Sequence, residues 1–298
     1  MSAVVETARL TKRYGDARGI EDVSMSVEAG EVFGFLGPNG AGKTTTIRTL
    51  LDLLHPTSGS ARIFGLDSRR DSLAIRARLG NLPGDFSYDP RLTGLELVSF
   101  LAEVRGVRDL GRTHQLAERF HADLKRPLGE LSRGNRQKIG LIQAFFHGPE
   151  LLILDEPTGG LDPLMQEEFL ELVGEERQRG TSVFLSSHEL DEVQRVCDRV
   201  GIIRDGRLVA VEKVAELTGR TYRHVSLEFE SAVDASDFRQ IAGVSELVAD
   251  GNRISFKVEG ALDAVVKAAA RHTVRDLEVA HPTLEEVFLT YYGGNGTR

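Results

Sequence analysis

The chain has 298 residues, 28% of them charged, and a formal net charge of −8. This composition fits a globular protein of one large or two medium domains, and the acidic balance argues against binding nucleic acid through a broad basic face. No stretch approaches the roughly 18 apolar residues of a membrane span, and the single cysteine, Cys197, excludes an internal disulfide and a cysteine metal cluster and fits a reducing compartment.

The first residues lack the basic and apolar regions of a secretory signal. A membrane process would have to draw its spans from another chain. Residues 3–36 and 60–65 read as short strands separated by turn signals at Tyr14-Gly15-Asp16, Glu28-Ala29-Gly30 and Pro56-Thr57-Ser58-Gly59. Within them, residues 31–36 read as a short buried strand, and a helical pattern with Ile47, Leu50, Leu51 and Leu54 runs over residues 44–54. Between strand and helix lies Gly37-Pro38-Asn39-Gly40-Ala41-Gly42-Lys43-Thr44-Thr45, which fits G-x-x-x-x-G-K-[ST], the P-loop. Free backbone N–H groups and the positive end of the helix then point at an anion. Gly40 and Gly42 let the backbone approach phosphates, Lys43 reaches the β- and γ-phosphates, and the Thr44 hydroxyl is placed to ligate Mg²⁺.

Residues 86–147 read as mainly helical, for example 93–101 and 113–121. Near their end, Leu131-Ser132-Arg133-Gly134-Asn135-Arg136-Gln137 precedes a run with Ile139, Leu141, Ile142 and Phe145, with Ser132 as N-cap and Gly134 permitting close approach. Residues 151–154 form an apolar run that ends in Asp155 and Glu156, the pattern of a buried parallel strand delivering carboxylates to the edge where α/β sheets bind ligands. Two carboxylates ending a buried strand need a reason to be there. Asp155 suits Mg²⁺, and Glu156 suits polarising an attacking water. Residues 182–185 read as a second buried strand, which hands Ser186, Ser187 and His188 to the same edge. Cys197 falls on an apolar helical stripe with Leu190, Val193, Val196 and Val200 and reads as core packing. A boundary is expected near Gly219. Beyond it the pattern is strand (225–229), helix (235–241), strand (246–248), strand (253–258), helix (262–271), strand (274–279) and a last helix (283–291), with an Asp250-Gly251-Asn252 hairpin turn. That β-α-β-β-α-β order is the ferredoxin-like pattern. No polar constellation stands out in it, and it reads as a packing or dimer-supporting appendix.

In this order the motifs over roughly residues 3–220 resemble one family, the ATP-binding cassette (ABC) ATPases. Residues 131–137 look like its signature motif, Gly159-Gly160-Leu161-Asp162 like its D-loop, His188 like its switch histidine, and Tyr14 is placed like the aromatic that stacks on adenine. No Asn-Lys-x-Asp guanine-reading motif occurs. The resemblance implies an α/β P-loop NTPase cassette in residues 1–220, with a parallel core sheet, an antiparallel β subdomain and a helical subdomain at about 86–147. The α+β module then occupies 221–298. It implies ATP and Mg²⁺ as ligands, and catalytic roles for Glu156 and His188. It also implies a homodimer or paired cassette in which Ser132, Arg133, Gly134 and Asn135 face the partner's nucleotide. The partners would be separate integral membrane permease subunits, with the chain peripheral on the cytoplasmic face of a bacterial membrane. Pro83-Gly84-Asp85, the 131–138 segment and the tail Thr283-Leu284-Glu285-Glu286-Val287-Phe288 look most like drug and antibiotic exporters of the daunorubicin type.

Several positions depart from the family pattern. Gly84 stands where a glutamine usually contacts Mg²⁺ or water, so that Asp85 or a water takes its place. Arg133 replaces a usual glycine, Asn135 a usual glutamine, and Gly159 a common serine. Two rival functions remain open at this point. One is a soluble ABC protein acting on ribosomes or DNA. The other is an ATP-binding switch with little hydrolysis.

Overall fold

A computed structural model of the chain describes residues 3–15, 17–85, 88–219 and 222–280. By contacts the chain divides into two compact units, Met1–Glu212 and Lys213–Arg298, a few residues ahead of Gly219.

The first unit opens with two strands, β1 (Ala3–Tyr14) and β2 (Ala17–Glu28), and then β3 (Val32–Leu36) and helix α1 (Lys43–Leu50). The opening strands are 12 residues each rather than short. Arg9 and Asp22 adopt positive φ (46° and 52°) and mark register shifts between the strands, so the alternation that should run through them is broken while the pairing continues. Helix α1 stops at Leu50, ahead of the expected Leu54, because Asp52 turns left-handed (φ 55°) and the N–H groups of Leu53 and Leu54 both return to the Arg48 carbonyl. Next come β4 (Ser58–Ile63), β5 (Leu66–Asp67), α2 (Ser72–Ala77) and β6 (Leu79–Leu82). The antiparallel sheet has the order β2-β1-β4-β5.

Three helices follow: α3 (Gly94–Arg105), α4 (Gly111–Arg119) and α5 (Arg133–Phe145). Helix α3 starts on a capping box in which Thr93 Oγ1 accepts from the Glu96 N–H at 3.2 Å and Glu96 Oε2 accepts from the Thr93 N–H at 2.8 Å. The chain then alternates through β7 (Leu151–Asp155), α6 (Pro163–Gln178), β8 (Ser182–Ser187), α7 (Leu190–Val196), β9 (Arg199–Arg204) and β10 (Arg207–Lys213). The central sheet has the order β10-β9-β3-β8-β7-β6, and the pairs β9/β3, β3/β8, β8/β7 and β7/β6 are parallel. Every residue of β3, β7 and β8 is buried, as expected of a sheet covered on both faces. Phe33 and Phe35 pack on Phe184 with ring centroids 5.8 and 5.4 Å apart, each buried ring contributing about 2–3 kcal/mol. Cys197 is buried, but the proposed stripe is not one helix. Cys197 caps α7 and Val200 lies in β9; with Val193 they converge on Gly34, where an added Cβ would lie 2.9–3.3 Å from their side chains. Burial pushes the Cys197 thiol well above its usual range.

Register positions the functional edge. Leu36 pairs with Ser187, Asp155 with Ser186, and Leu82 with Leu154. The segments leaving β3, β7, β8 and β6 therefore emerge side by side at one carboxyl edge of the sheet.

The second unit starts with α8 (Val214–Gly219) and continues with β11 (Arg223–Phe229), α9 (Ser236–Arg239), β12 (Val244–Asp250), β13 (Arg253–Val258), α10 (Asp263–Ala269) and β14 (Val274–Ala280). Its sheet is antiparallel throughout, in the order β12-β13-β11-β14, the strand arrangement of a ferredoxin-like module. Val225, Leu227, Phe229, Phe238, Ile254 and Phe256 form its core. The expected last helix at 283–291, with its Thr283–Phe288 signature, lies outside the described residues.

Candidate nucleotide site

The P-loop bends because glycine allows it to. Gly40 and Gly42 have φ of 81° and 112°, and Gly42 is the left-handed N-cap of α1. The loop is also wedged tightly. A Cβ on Gly37 would lie 2.5 Å from the Ile203 carbonyl oxygen, and one on Gly42 would lie 2.8 Å from Ile20 Cγ2. The Gly206 N–H donates to the Ala41 carbonyl at 2.9 Å, and the Ala41 N–H to Pro38 at 3.1 Å. Pro38 and Asn39 are exposed; Thr44 and Thr45 are half-buried at the helix start. Lys43, only 6% exposed, folds back over the loop. Its Nζ donates to the Gly37 carbonyl at 2.6 Å and pairs with Glu156 Oε1 at 3.0 Å.

Asp155 and Glu156 separate in role at the end of β7. Asp155 is 1% exposed, and its Oδ1 accepts from Ser186 Oγ at 2.6 Å. The pair does not cap the next helix: Asp162 does, accepting from the Met165 N–H at 3.0 Å with Pro163 at the first helical position. Glu156 takes a left-handed φ of 51°. Its N–H donates to Ser186 O and Oγ at 3.2 and 3.1 Å. Its carboxylate spans Lys43 on one oxygen and His188 Nδ1 on the other, at 2.6 Å, while His188 Nε2 lies 3.3 Å from Glu189. Lys43, Asp155, Glu156 and His188, expected as parts of one site from separate motifs, are thus brought within direct contact or one residue of each other.

Beside them lies a polar cleft of about 300 Å³ lined by Gly84, Asp85, Arg133, Arg136, Gln137, Glu156 and Gly159. Position 84 faces Asp155, because a Cβ there would sit 2.8 Å from Asp155 Oδ2. The start of α5 is capped by Ser132, whose Oγ accepts from the Asn135 N–H at 3.3 Å. Gly134 presses on the D-loop segment, since a Cβ on it would lie 2.5 Å from the Gly160 carbonyl, and the Arg133 stem lies against Gly160. None of the hydrogen bonds of Ser132, Gly134 or Asn135 reaches the P-loop among the described residues. Tyr14 ends β1 in the hairpin whose second strand carries Ile20 to the P-loop; its ring is 45% exposed, with Lys12 Nζ 5.5 Å from the ring centroid.

Sequence reasoning missed three participants: Ser186 as the partner of Asp155, Gln137 as a donor to the chain after Asp155, and Glu192. Glu192 is buried beside Ser187, whose Oγ donates to it at 3.3 Å. Burial raises its pKa against the lowering effect of hydrogen bonds from Thr158 and Ser187. The serines could be read from the strand pattern; the other two depend on contacts across the fold.

No His, Cys, Asp or Glu cage for a metal occurs among the described residues. That suits Mg²⁺, which is held by one or two carboxylates and by substrate phosphates rather than by an all-protein cage. The open Oδ2 side of Asp155 at Gly84 and the half-buried Thr44 hydroxyl are the oxygen donors such an ion requires.

A glycine loop opening a helix, beside an Asp-Glu pair at the end of the neighbouring parallel strand, defines a P-loop nucleoside-triphosphatase domain. Comparison with known proteins narrows the class. A family model described as ABC transporter matches residues 20–159. The bacitracin transport ATP-binding protein BcrA of Bacillus licheniformis is 37% identical over 77% of this chain and 76% of its own length. The BcrA protein of Enterococcus faecalis is 31% identical over 99% and 98%, and the daunorubicin resistance ATP-binding protein DrrA3 of Streptomyces coeruleorubidus is 33% identical over 95% and 93%. A solved ATP-binding subunit of an ABC transporter, 31% identical, superposes with a TM-score of 0.66 over 72% of this chain and 91% of its own. A dimeric cassette in a post-hydrolysis state with ADP and Pi, 22% identical, has the same fold, with a TM-score of 0.65 over 70% and 98%. The chain belongs to the ABC transporter family as an ATP-binding, ATPase subunit, and its relatives include antibiotic- and drug-resistance proteins. Among the described residues no helix is long and apolar enough to cross a membrane.

Proposed function

We propose that the chain hydrolyses ATP to drive a separate membrane permease that exports antibiotics or other hydrophobic compounds. The observation that carries the chemistry is the convergence of Lys43, Asp155, Glu156 and His188 at one sheet edge under a P-loop. The names of the relatives, which speak of bacitracin transport and daunorubicin resistance, support the export role. In this reading Lys43 and the loop N–H groups hold the β- and γ-phosphates, and Tyr14 stacks on the base. Thr44 and Asp155 hold Mg²⁺, with Asp85 a further candidate ligand. The ion, when bound, neutralises charge on the phosphate oxygens. Glu156 accepts the proton of the attacking water, and His188, bonded to its Oε2, orients that carboxylate and donates toward the γ-phosphate. Ser132, Arg133, Gly134 and Asn135 face the nucleotide of a second cassette, so two copies or two related chains form the working unit at the cytoplasmic face of a bacterial membrane.

Glu156→Gln keeps size and hydrogen bonding but removes the base. Phosphate release should fall about 100-fold or more while ATP binding persists. Near wild-type release in that variant would end the assignment of Glu156. Copurification of an integral membrane protein with the tagged full-length chain tests the export role. Copurification of ribosomes or DNA instead would favour the soluble alternative.

A further inference from the structure

We propose that Gln137 is a positioning residue for the hydrolytic carboxylate, holding the backbone of Glu156 in its left-handed conformation from the signature helix. The proposal rests on the role given to Glu156 above and adds to it.

A non-glycine residue at φ 51° is uncommon and costs about 1 kcal/mol or more unless its surroundings fix it. Two sets of bonds fix Glu156. On the amino side, its N–H is taken by Ser186 O and Oγ of the neighbouring strand. On the carboxyl side, Gln137 Nε2 donates to Glu156 O at 3.2 Å and to Pro157 O at 2.9 Å. Both amide hydrogens of that one side chain are thus spent on two successive carbonyls. Pro157 brings no N–H of its own to anchor the segment. The Gly159 N–H also returns to Glu156 O at 3.2 Å, which closes the turn but does not tie it to another element. Of the donors to the Glu156 and Pro157 carbonyls, Gln137 is the one that comes from another element.

The same helix start is pressed on the same loop by Gly134, facing the Gly160 carbonyl, and by the Arg133 stem. Signature turn and post-β7 loop are therefore joined at two places, and only Gln137 acts on the residue that carries the base. Loss of its donor should let the Glu156 carboxylate leave the position in which Lys43 and His188 hold it. Phosphate binding, which uses the P-loop, should be spared.

The test compares full-length wild type with Gln137→Met, which keeps length and packing without donors, and Gln137→Lys, which restores a donor of similar reach. For Gln137→Met, kcat for phosphate release should fall about ten-fold, the loss of one to two hydrogen bonds at the site, with the KM for ATP changed less than about two-fold. Gln137→Lys should recover most of that loss. In an Glu156→Gln background, Gln137→Met should cost little more, because the group it positions is gone. Wild-type kcat in Gln137→Met, an equal loss in Gln137→Met and Gln137→Lys, or full additivity with Glu156→Gln would each overturn the proposal. Near wild-type hydrolysis in Glu156→Gln alone would instead strike the parent reading, so the two failures are distinguishable. Thermal melting of each variant separates a folding defect from the kinetic effect: normal melting with reduced kcat supports positioning, and a kcat loss that tracks the folded fraction overturns it.

Discussion

The two units handle polarity in opposite ways. In the first, Lys43, Asp155, Thr158, Ser186, Ser187 and Glu192 are all buried, and most of them lie on or beside one sheet edge. In the second, among the described residues, no polar or charged side chain is buried; the core is Val225, Leu227, Phe229, Phe238, Ile254, Phe256 and their apolar neighbours. Its ion pairs, such as Lys267 with Asp263 and Lys257 with Glu246, sit at the surface and contribute little each. Buried polar groups cost free energy unless partnered, so a chain that retains a cluster of them has a chemical use for it. Both units are well-packed α/β or α+β structures. Only the first concentrates costly groups, and that contrast, not the fold class, separates a site from a scaffold.

The largest effect that would test this contrast lies in the second unit. Phe229 is fully buried, with its ring 6.0 Å from Phe238 and 5.6 Å from His272. Phe229→Ala should destabilise that unit by about 3–5 kcal/mol, read from denaturant unfolding. ATP affinity, titrated on the folded chain, should stay near the wild-type value. A drop in affinity as large as the drop in stability would show that the second unit contributes to nucleotide binding.

Next in size is Gly84. A Cβ there meets Asp155 Oδ2 at 2.8 Å, so any side chain must displace that carboxylate. Gly84→Ala should lower phosphate release by about ten-fold or more, and Gly84→Gln, which restores the residue usual in the family, should not rescue it. Faster hydrolysis in Gly84→Gln would mean that the loop has room the structure denies it. Asp85→Ala sharpens the same point. If its carboxylate serves the metal, hydrolysis should drop beyond any loss of ATP affinity; unchanged hydrolysis with both Mg²⁺ and Mn²⁺ removes Asp85 from the site.

Much of the site could be read from sequence because its parts are local. The P-loop, the Asp155-Glu156 pair and His188 each end a strand whose apolar run is visible, and parallel pairing then places the strand ends together. What could not be read is whatever depends on long-range approach. The reach of Gln137 across to the carbonyls after Asp155, the proximity of Gly84 to Asp155, and the left-handed turn at Glu156 have no periodic or compositional signal. The strand lengths of β1 and β2 failed for a related reason: bulges at Arg9 and Asp22 interrupt alternation without ending the pairing. In the second unit β11 and β13 read well because they alternate, with His224, Ser226 and Glu228 set between the buried Val225, Leu227 and Phe229, whereas β12, expected only at 246–248, runs over Val244–Asp250 with a positive φ at Glu246 and a register shift against β13.

A smaller effect belongs to Tyr14. An exposed ring offered to a purine discriminates little between bases. Tyr14→Ala should weaken ATP and GTP binding by similar factors, about 3–10-fold, and Tyr14→Phe should be nearly silent. If Phe is as damaging as Ala, the hydroxyl rather than the ring face matters.

The smallest effect is at Glu192, and it is a matter of sign. This carboxyl is buried between Ser187 and Thr158, and burial raises its pKa above the ordinary glutamate value. The folded chain therefore holds the proton more tightly than the unfolded chain does. Its contribution to stability is complete below the ordinary glutamate pKa and is lost as pH rises through the raised one. Glutamine at this position can still accept from Ser187 Oγ but carries no charge to desolvate. Glu192→Gln should thus melt close to wild type in acid and gain on it by about 1–3 °C toward neutral pH. A melting difference that is flat with pH would mean that folding leaves this carboxyl's proton affinity unchanged, and one that turns in favour of wild type toward neutral pH would mean that the charged form is the stabilised one. In the second case the charge of Glu192 would be held by its hydrogen-bond donors Ser187 and Thr158, and the polar cluster of the first unit would extend one residue further from the nucleotide.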